Sequence, residues 1–415
     1  MSQTHLVTGL DVGTTKICAV IAEVEPGVEP NVIGVGISPC EGLKKGIVVD
    51  IELTTRAIHD AVSKAERMAG EEVHSVLVGI TGEHIACLNS RSVIAITHQG
   101  REISTSDVDR LLDSAKIIVL PPDREIVHAV PRWYSVDGHG GVHTPVGMHG
   151  NRLEVETHIV TGLSSFIQNV VKCVHGAGLS MDDTVLEAMA TSESVLLPAE
   201  KELGVALVDI GGGTGDLAIY IDGQIYYSGV IPIGGSHVTR DIAVGLRTSI
   251  EEAERVKKMY GCASTEDVEA QESFEVVSLG NENPRQLPRK VLAEIIEPRA
   301  AEICQLIVDQ IEKAGCEHRI PAGLVLTGGG SQLRKLSELA TSVTGLPARV
   351  GLPSGVTGLI DAVESPSCAT AVGLVLFWAR HNELQGTDSE EDAFLSGVVK
   401  RFREFIAGIG GAFTR

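Results

Sequence analysis

Two short stretches of this chain carry the residue types that can hold a polyphosphate. In GLDVGTTK, residues 9–16, Asp11, Gly13, Thr14 and Thr15 follow an apolar run; in VDIGGGTGD, residues 208–216, Asp209, Gly211, Gly212, Gly213 and Thr214 repeat that plan. Glycines at a strand-to-turn junction let backbone N–H groups come close to phosphate oxygens. Asp11 and Asp209 offer hard oxygen ligands, which suit a hydrated Mg²⁺ held through water. A third turn, Gly328, Gly329 and Gly330 in LTGGGSQLRKL, follows another apolar run and would abut a nucleoside. Each loop alone is equally a tight hairpin turn. Three in this order point to a nucleotide held between two similar units. The other common phosphate loops, GxxxxGK[ST] and GxGxxG, are absent.

Other chemistries find little support. The fourteen histidines include no i, i+4 pair with a third ligand, and HGGVH at 139–143 is glycine-spaced loop, so surface histidines are the better reading than a metal site. No GxSxG elbow is present. The eight cysteines are scattered without a CxxC pair and the start shows no signal-peptide pattern, which together suggest a reduced, cytoplasmic protein. A net charge of −21 argues against nucleic-acid binding. The longest apolar run, 369–379, is too short to cross a bilayer, which takes about 20 residues. Any membrane contact is therefore expected to be peripheral.

The elements that must position these loops are legible in outline. The first sixty residues read as strand, glycine turn, strand, helix, and the strand–turn–strand plan recurs near 205, so two related lobes are expected in a chain of 415 residues. Between them, 83–158 alternates strand-like runs with one helix opened by Ser and Thr caps near 104, and reads as an inserted subdomain. Residues 236–316 are largely helical. SIEEAERVKKMYG places acids first and lysines last, with Gly261 as C-cap, and Pro298 is expected to bend or interrupt the next helix. Residues 382–393 carry five acids without apolar periodicity and read as a linker.

The three loops resemble the phosphate-1, phosphate-2 and adenosine motifs of the actin, Hsp70 and sugar-kinase superfamily. Within it, EGLKKGIVVDIELTTRAI, PVGMHGNRLEVETHIVTG and LAEIIEPRAAEI, followed by a basic amphipathic C-terminus, are similar to the FtsA family of bacterial cell-division proteins across essentially the whole chain. The resemblance implies an α/β actin-like ATPase fold: two lobes, each a mixed sheet flanked by helices, plus an inserted α+β subdomain. The implied units are 1–82 with 159–196, the insertion 83–158, 197–235 with 317–381, 236–316, the linker 382–393 and a membrane helix 394–415. ATP and Mg²⁺ would occupy the cleft. Asp11, Gly13, Thr14, Thr15, Lys16, Asp209, Gly211, Gly212, Gly213 and Thr214 would meet phosphates or metal-bound water. Gly328, Gly329, Gly330, Glu254, Lys257 and Lys258 would surround the nucleoside, although AERVKK on its own is also a solvated charged face.

Glu187 matches a water-positioning glutamate of Hsp70-like relatives, whereas Ser367 stands where a more acidic residue is common. Tight nucleotide binding with weak or absent hydrolysis is the expectation, since phosphoryl transfer depends on positioned charge. The resemblance further implies self-association into filaments, tethering of FtsZ filaments to the cytoplasmic face of the inner membrane, and recruitment of later division proteins. Lys290 and Arg299 would receive the acidic C-terminal peptide of FtsZ. The alternative reading is a soluble actin-fold ATPase or kinase, or a pilus-assembly ATP-binding protein, whose tail docks on a partner.

In the tail, Leu395, Val398, Val399, Phe402, Phe405, Ile406, Ile409 and Phe413 fall at helical steps, while Lys400, Arg401 and Arg403 occupy other faces. A helix docked on the body, or on a calmodulin-like partner, would carry the same stripe. The acidic linker before it, the aromatics and the local reversal of charge favour an interfacial membrane helix. Burying eight apolar side chains gains on the order of 10 kcal/mol gross, against about 1 kcal/mol for each cation near anionic lipid.

Overall fold

The structure, a computed structural model, describes residues 4–97, 102–269, 271–280 and 283–386. Residues 387–415, including every residue of the basic amphipathic segment, lie outside them. Apolar runs on either side of the DVGTT turn form antiparallel strands β1 (His5–Val12) and β2 (Lys16–Val24), and β3 (Asn31–Pro39) extends the meander. Helix α1 (Ile51–Ala69) begins where the Asp50 side chain accepts from Leu53 N at 2.9 Å and ends at Gly70, φ 75°. It returns the chain to β4 (Ser75–Ile80), parallel to β1.

The insertion follows. Strand β5 (Ala86–Ala95), helix α2 (Thr105–Ala115) and strands β6 (Arg124–Val136), β7 (His139–Val142) and β8 (Arg152–Leu163) make an antiparallel sheet in the order β5-β8-β6-β7 with α2 packed on it. A Ser104–Asp107 capping box opens α2. The chain then re-enters the first sheet through α3 (Ser164–Gly176) and β9 (Ser180–Leu186), which pairs with β4, and continues into α4 (Glu187–Val195).

The second lobe repeats the meander with β10 (Val205–Ile210), β11 (Gly215–Ile221) and β12 (Gln224–Ile231). Helices α5 (Gly235–Leu246), α6 (Ile250–Tyr260) and α7 (Arg289–Ala314) precede β13 (Leu324–Thr327), parallel to β10, then α8 (Leu336–Thr344) and β14 (Ala348–Val350). The last turn of chain runs through β15 (Thr357–Gly358) and α9 (Ala369–Gly386).

Three expectations about this framework change. Pro298 does not interrupt α7, which is continuous; Leu292, Ile296, Ile303 and Ile307 bury its inner face, and tertiary packing outweighs one lost backbone hydrogen bond. The segment 317–381 divides between the lobes: β13, α8 and β14 stay with the second, whereas β15 pairs with β3, and α9 packs on β1, β2, β4 and α4. Small residues allow this, because a side chain at Gly9 would overlap the Ala371 carbonyl and one at Gly373 the Ala190 carbonyl. Finally, α9 runs on to Gly386, so 382–386 extend a helix already nucleated rather than opening the linker. Helix α4, against α9 on one side, packs on β10 and β11 on the other, so these two helices form the layer between the two large sheets.

Candidate functional site

The β1–β2 turn and the β10–β11 turn face each other across that layer. Asp11 ends β1 with 7% of its surface exposed, and Gly13 N donates to Lys16 O at 3.1 Å to close the turn. The Thr14 hydroxyl accepts from Gly46 N at 3.1 Å, and a Cβ on Gly213 would lie 2.7 Å from that same oxygen. On the opposing turn, Gly211 N donates to Thr214 O at 2.9 Å, while the carbonyls of Gly211 and Gly212 accept from Gly235 N and Ser236 N at the start of α5. The third glycine turn closes the back. Gly328 has φ 80°, a Cβ there would overlap Asp209 Oδ1, and Gly328 N donates to Pro366 O at 3.2 Å. The sequence motifs thus converge on one place.

Four buried carboxylates and one ammonium meet there. Lys16 Nζ lies 3.3 Å from Asp11 Oδ2 and donates to the Ser367 carbonyl. Burial pulls the Lys16 ammonium down, yet Asp11 and two nearby thiols outweigh it and hold it above its ordinary value. Asp209 Oδ2 accepts from Thr370 at 2.9 Å and Thr191 at 3.1 Å, one hydroxyl from each crossing helix. Burial, then the charge of Asp11, pushes Asp209 up to about 6. Asp216 accepts from Thr81 of the first lobe, and burial lifts it to about 7. Burial also raises Asp11, even beside Lys16.

Glu187 opens α4 at 6% exposure, and its Oε1 is buried without a hydrogen-bond partner. Burial first, then Asp11, Asp216 and Asp209, drives its carboxyl well above the usual range. An acidic centre only partly offset by Lys16, with an orphaned oxygen, is suited to a cation, and the glycine turns bring backbone close beside it.

At the edge, Lys257 Nζ contacts Glu254 Oε2 at 2.6 Å, Thr239 Oγ1 at 2.8 Å and Gly235 O at 3.1 Å, and a Cβ on Gly235 would lie 3.9 Å from Gly330 Cα. Lys258 is different: its side chain is 73% exposed, tied to Glu254 at 3.4 Å. Gly261 does cap α6, but through close approach to Lys257 O rather than a left-handed φ. Lys290 and Arg299 are on α7, away from these loops. Arg299 is held by Asp241 at 2.6 and 3.2 Å and by Glu302, while Lys290 is exposed. Sequence reasoning missed Asp216, although it sits in the same GGGTGD run. It also missed Thr81, Thr191 and Thr370, for which no local signal exists.

The family model described as "Cell division protein FtsA" matches residues 206–373, and that described as "SHS2 domain inserted in FTSA" matches residues 82–161. The chain is 42% identical over 409 residues to the cell division protein FtsA of Pseudomonas aeruginosa, covering 97% of this chain and 98% of that protein. The chain belongs to the FtsA family. The FtsA of Escherichia coli K12 is 37% identical over 411 residues, 97% of each chain. The actin-like fold expected of an FtsA-family chain is matched by solved structures: a PilM-PilN type IV pilus biogenesis complex (TM-score 0.67, 18% identity, 90% of this chain and 98% of that one) and MreB5 of Spiroplasma citri bound to ADP (0.56, 16%, 93% and 99%). The SHS2 match falls on the β5–β8 sheet, whose closing strand runs to Leu163, beyond the boundary of 158 expected from sequence.

Proposed function

We propose that this FtsA-family protein binds ATP with Mg²⁺ between its lobes and tethers FtsZ filaments to the cytoplasmic face of the inner membrane. The observation that carries the nucleotide reading is the convergence of the three glycine turns beside Asp11 and Asp209, two carboxylates whose charges also act on the buried Glu187. Gly211, Gly212, Gly213 and Thr214 would hold phosphates from one side, and Gly13, Thr14, Thr15 and Lys16 from the other. Asp11 and Asp209 would hold the ion through water, and the ion would neutralise phosphate charge. Gly328, Gly329, Gly330, Glu254 and Lys257 would border the nucleoside, with Lys258 at most at its outer rim. MreB5, solved bound to ADP, supports nucleotide as the ligand of this fold. Hydrolysis is slow in this reading, because phosphoryl transfer depends on positioned charge and Ser367 stands where a more acidic residue is common.

Membrane attachment rests on the tail, Leu395 to Phe413, whose residues lie outside the described ones; among those, no helix is long and apolar enough to cross a membrane. FtsZ docking is assigned to α7, with Lys290 as the exposed cation, because the Arg299 guanidinium is engaged by Asp241. Self-association and recruitment of later division proteins complete the role. The test is co-sedimentation of purified full-length protein with anionic liposomes, against a truncation after Ala393, alongside Mg²⁺-dependent binding of a fluorescent ATP analogue. Both proteins should bind nucleotide and only the full chain should sediment; equal sedimentation of the truncation would overturn the tethering role.

A further inference from the structure

Cys18 and Cys368 stand 350 positions apart in sequence, yet their sulfurs are 4.0 Å apart, with Cys18 donating to Cys368. Both are buried, at 0% and 1% exposure. Cys18 lies on β2, two residues past Lys16, and Cys368 follows Ser367, whose carbonyl accepts from Lys16 Nζ. The carbonyl before that, Pro366 O, accepts from Gly328 N of the third glycine turn. The 366–368 turn therefore links the first-lobe phosphate strand to the floor of the second-lobe loop.

From this geometry we infer that Cys18 and Cys368 are an oxidative modification site, closing to a disulfide that pins the 366–368 turn to β2 and slows nucleotide exchange. The consequence for exchange rests on the nucleotide reading above; the disulfide itself does not. A sulfur separation of 4.0 Å must close to about 2.05 Å, a movement within reach of side-chain rotation. The hydrogen bond from Cys18, with the nearby Lys16 ammonium, brings the Cys368 thiol down to about 7 against the effect of burial, which favours it as the attacking sulfur.

The oxidant is a small peroxide, which can reach a sulfur too buried for a bulky disulfide. The Cys368 thiolate attacks one oxygen of H₂O₂ and breaks the O–O bond, giving a sulfenic acid and hydroxide, which takes up the proton lost by the thiol. The Cys18 sulfur then attacks the sulfenic sulfur; its proton leaves with the departing oxygen as water. Two thiols and one peroxide become one disulfide and two waters.

The experiment treats purified full-length protein with hydrogen peroxide and maps disulfides by peptide mass spectrometry before and after dithiothreitol. It then measures release of N-methylanthraniloyl-ADP from oxidised and reduced protein. The expected result is a reducible Cys18–Cys368 peptide pair and release slowed at least threefold, with Cys368→Ser and Cys18→Ala each abolishing both. If the pair does not form in folded wild-type protein, the inference falls, whatever the nucleotide results. If it forms but release is unchanged or faster, the exchange role is overturned. If it forms in a protein that binds no nucleotide under either condition, the nucleotide reading fails and the exchange role with it, while the modification site stands.

Discussion

Gly212 of the second lobe rests directly on Thr15 of the first, so that a Cβ on the glycine would sit 2.5 Å from Thr15 Cγ2. The two glycine turns are thus as close as a missing side chain allows. Gly212→Ala should push them apart. Nucleotide affinity, read by titration of a fluorescent ATP analogue, should fall at least tenfold, about 1.4 kcal/mol. Thermal unfolding should move by only a few degrees, because the contact is between lobes rather than within a core. Unchanged affinity would show that this close arrangement is not the binding one.

Glu187→Gln tests the acidic centre. A carboxyl raised by burial favours the fold while protonated, and that contribution is lost as pH climbs through its folded-state value. Glutamine never ionises, so the variant should be at least as stable as wild type at pH 7 without Mg²⁺, and its stability should fall less between pH 5 and 8. Urea denaturation at those pH values reads this. Marked destabilisation would mean that the native carboxylate is charged and paired.

The crossing of α4 and α9 is set by Gly373, where a side chain would run into the Ala190 carbonyl. Backbone cannot yield as a flexible side chain can. Gly373→Ala should cost about 3 kcal/mol by chemical denaturation, and it should weaken nucleotide binding as well, since Thr370 on α9 and Thr191 on α4 both hold Asp209.

His158 joins the insertion to the second lobe, with Nδ1 2.9 Å from Asn89 Oδ1 and Nε2 2.9 Å from Ser228 Oγ. Burial, then Arg132, lowers it to about 4. The unfolded chain therefore takes up this proton first, near pH 6.5, and the stability His158 contributes is lost as pH falls from there toward 4. Each pH unit in that window should cost about 1.4 kcal/mol. Because the buried acids slope the other way, the reading is the difference between wild type and His158→Gln across pH 7 to 5. The variant should lose less stability; parallel curves would show that folding does not shift the ring's protonation.

For the tail, Phe402→Glu with Phe405→Glu should abolish liposome co-sedimentation, whereas raising salt should loosen the wild-type protein only in part. In the proposed attachment, hydrophobic insertion would outweigh three cations near anionic lipid, each worth about 1 kcal/mol. The reverse ordering would make the attachment electrostatic.

The glycine turns, the cap of α2 and the strand–turn–strand plan of each lobe were legible because each follows from neighbours in the chain. Ser104 and Asp107 cap α2 from within one turn. At Pro298 the interruption does not occur, for the complementary reason: a local rule was overruled by the buried face of α7. The end of α9 was misread as linker because composition says little once a helix is already formed.

From its sequence alone this chain determined that three glycine turns would offer backbone to an anion, that Asp11 and Asp209 would stand beside two of them, and which family shares that order. Only the tertiary structure decided that Asp216 would join those aspartates and Glu187, that Arg299 would be spent on Asp241, and that Cys18 would meet Cys368. Backbone conformation is settled by residues a few positions apart. The charge state and partners of a carboxylate or thiol depend on burial and on groups brought from hundreds of residues away, which no local pattern records.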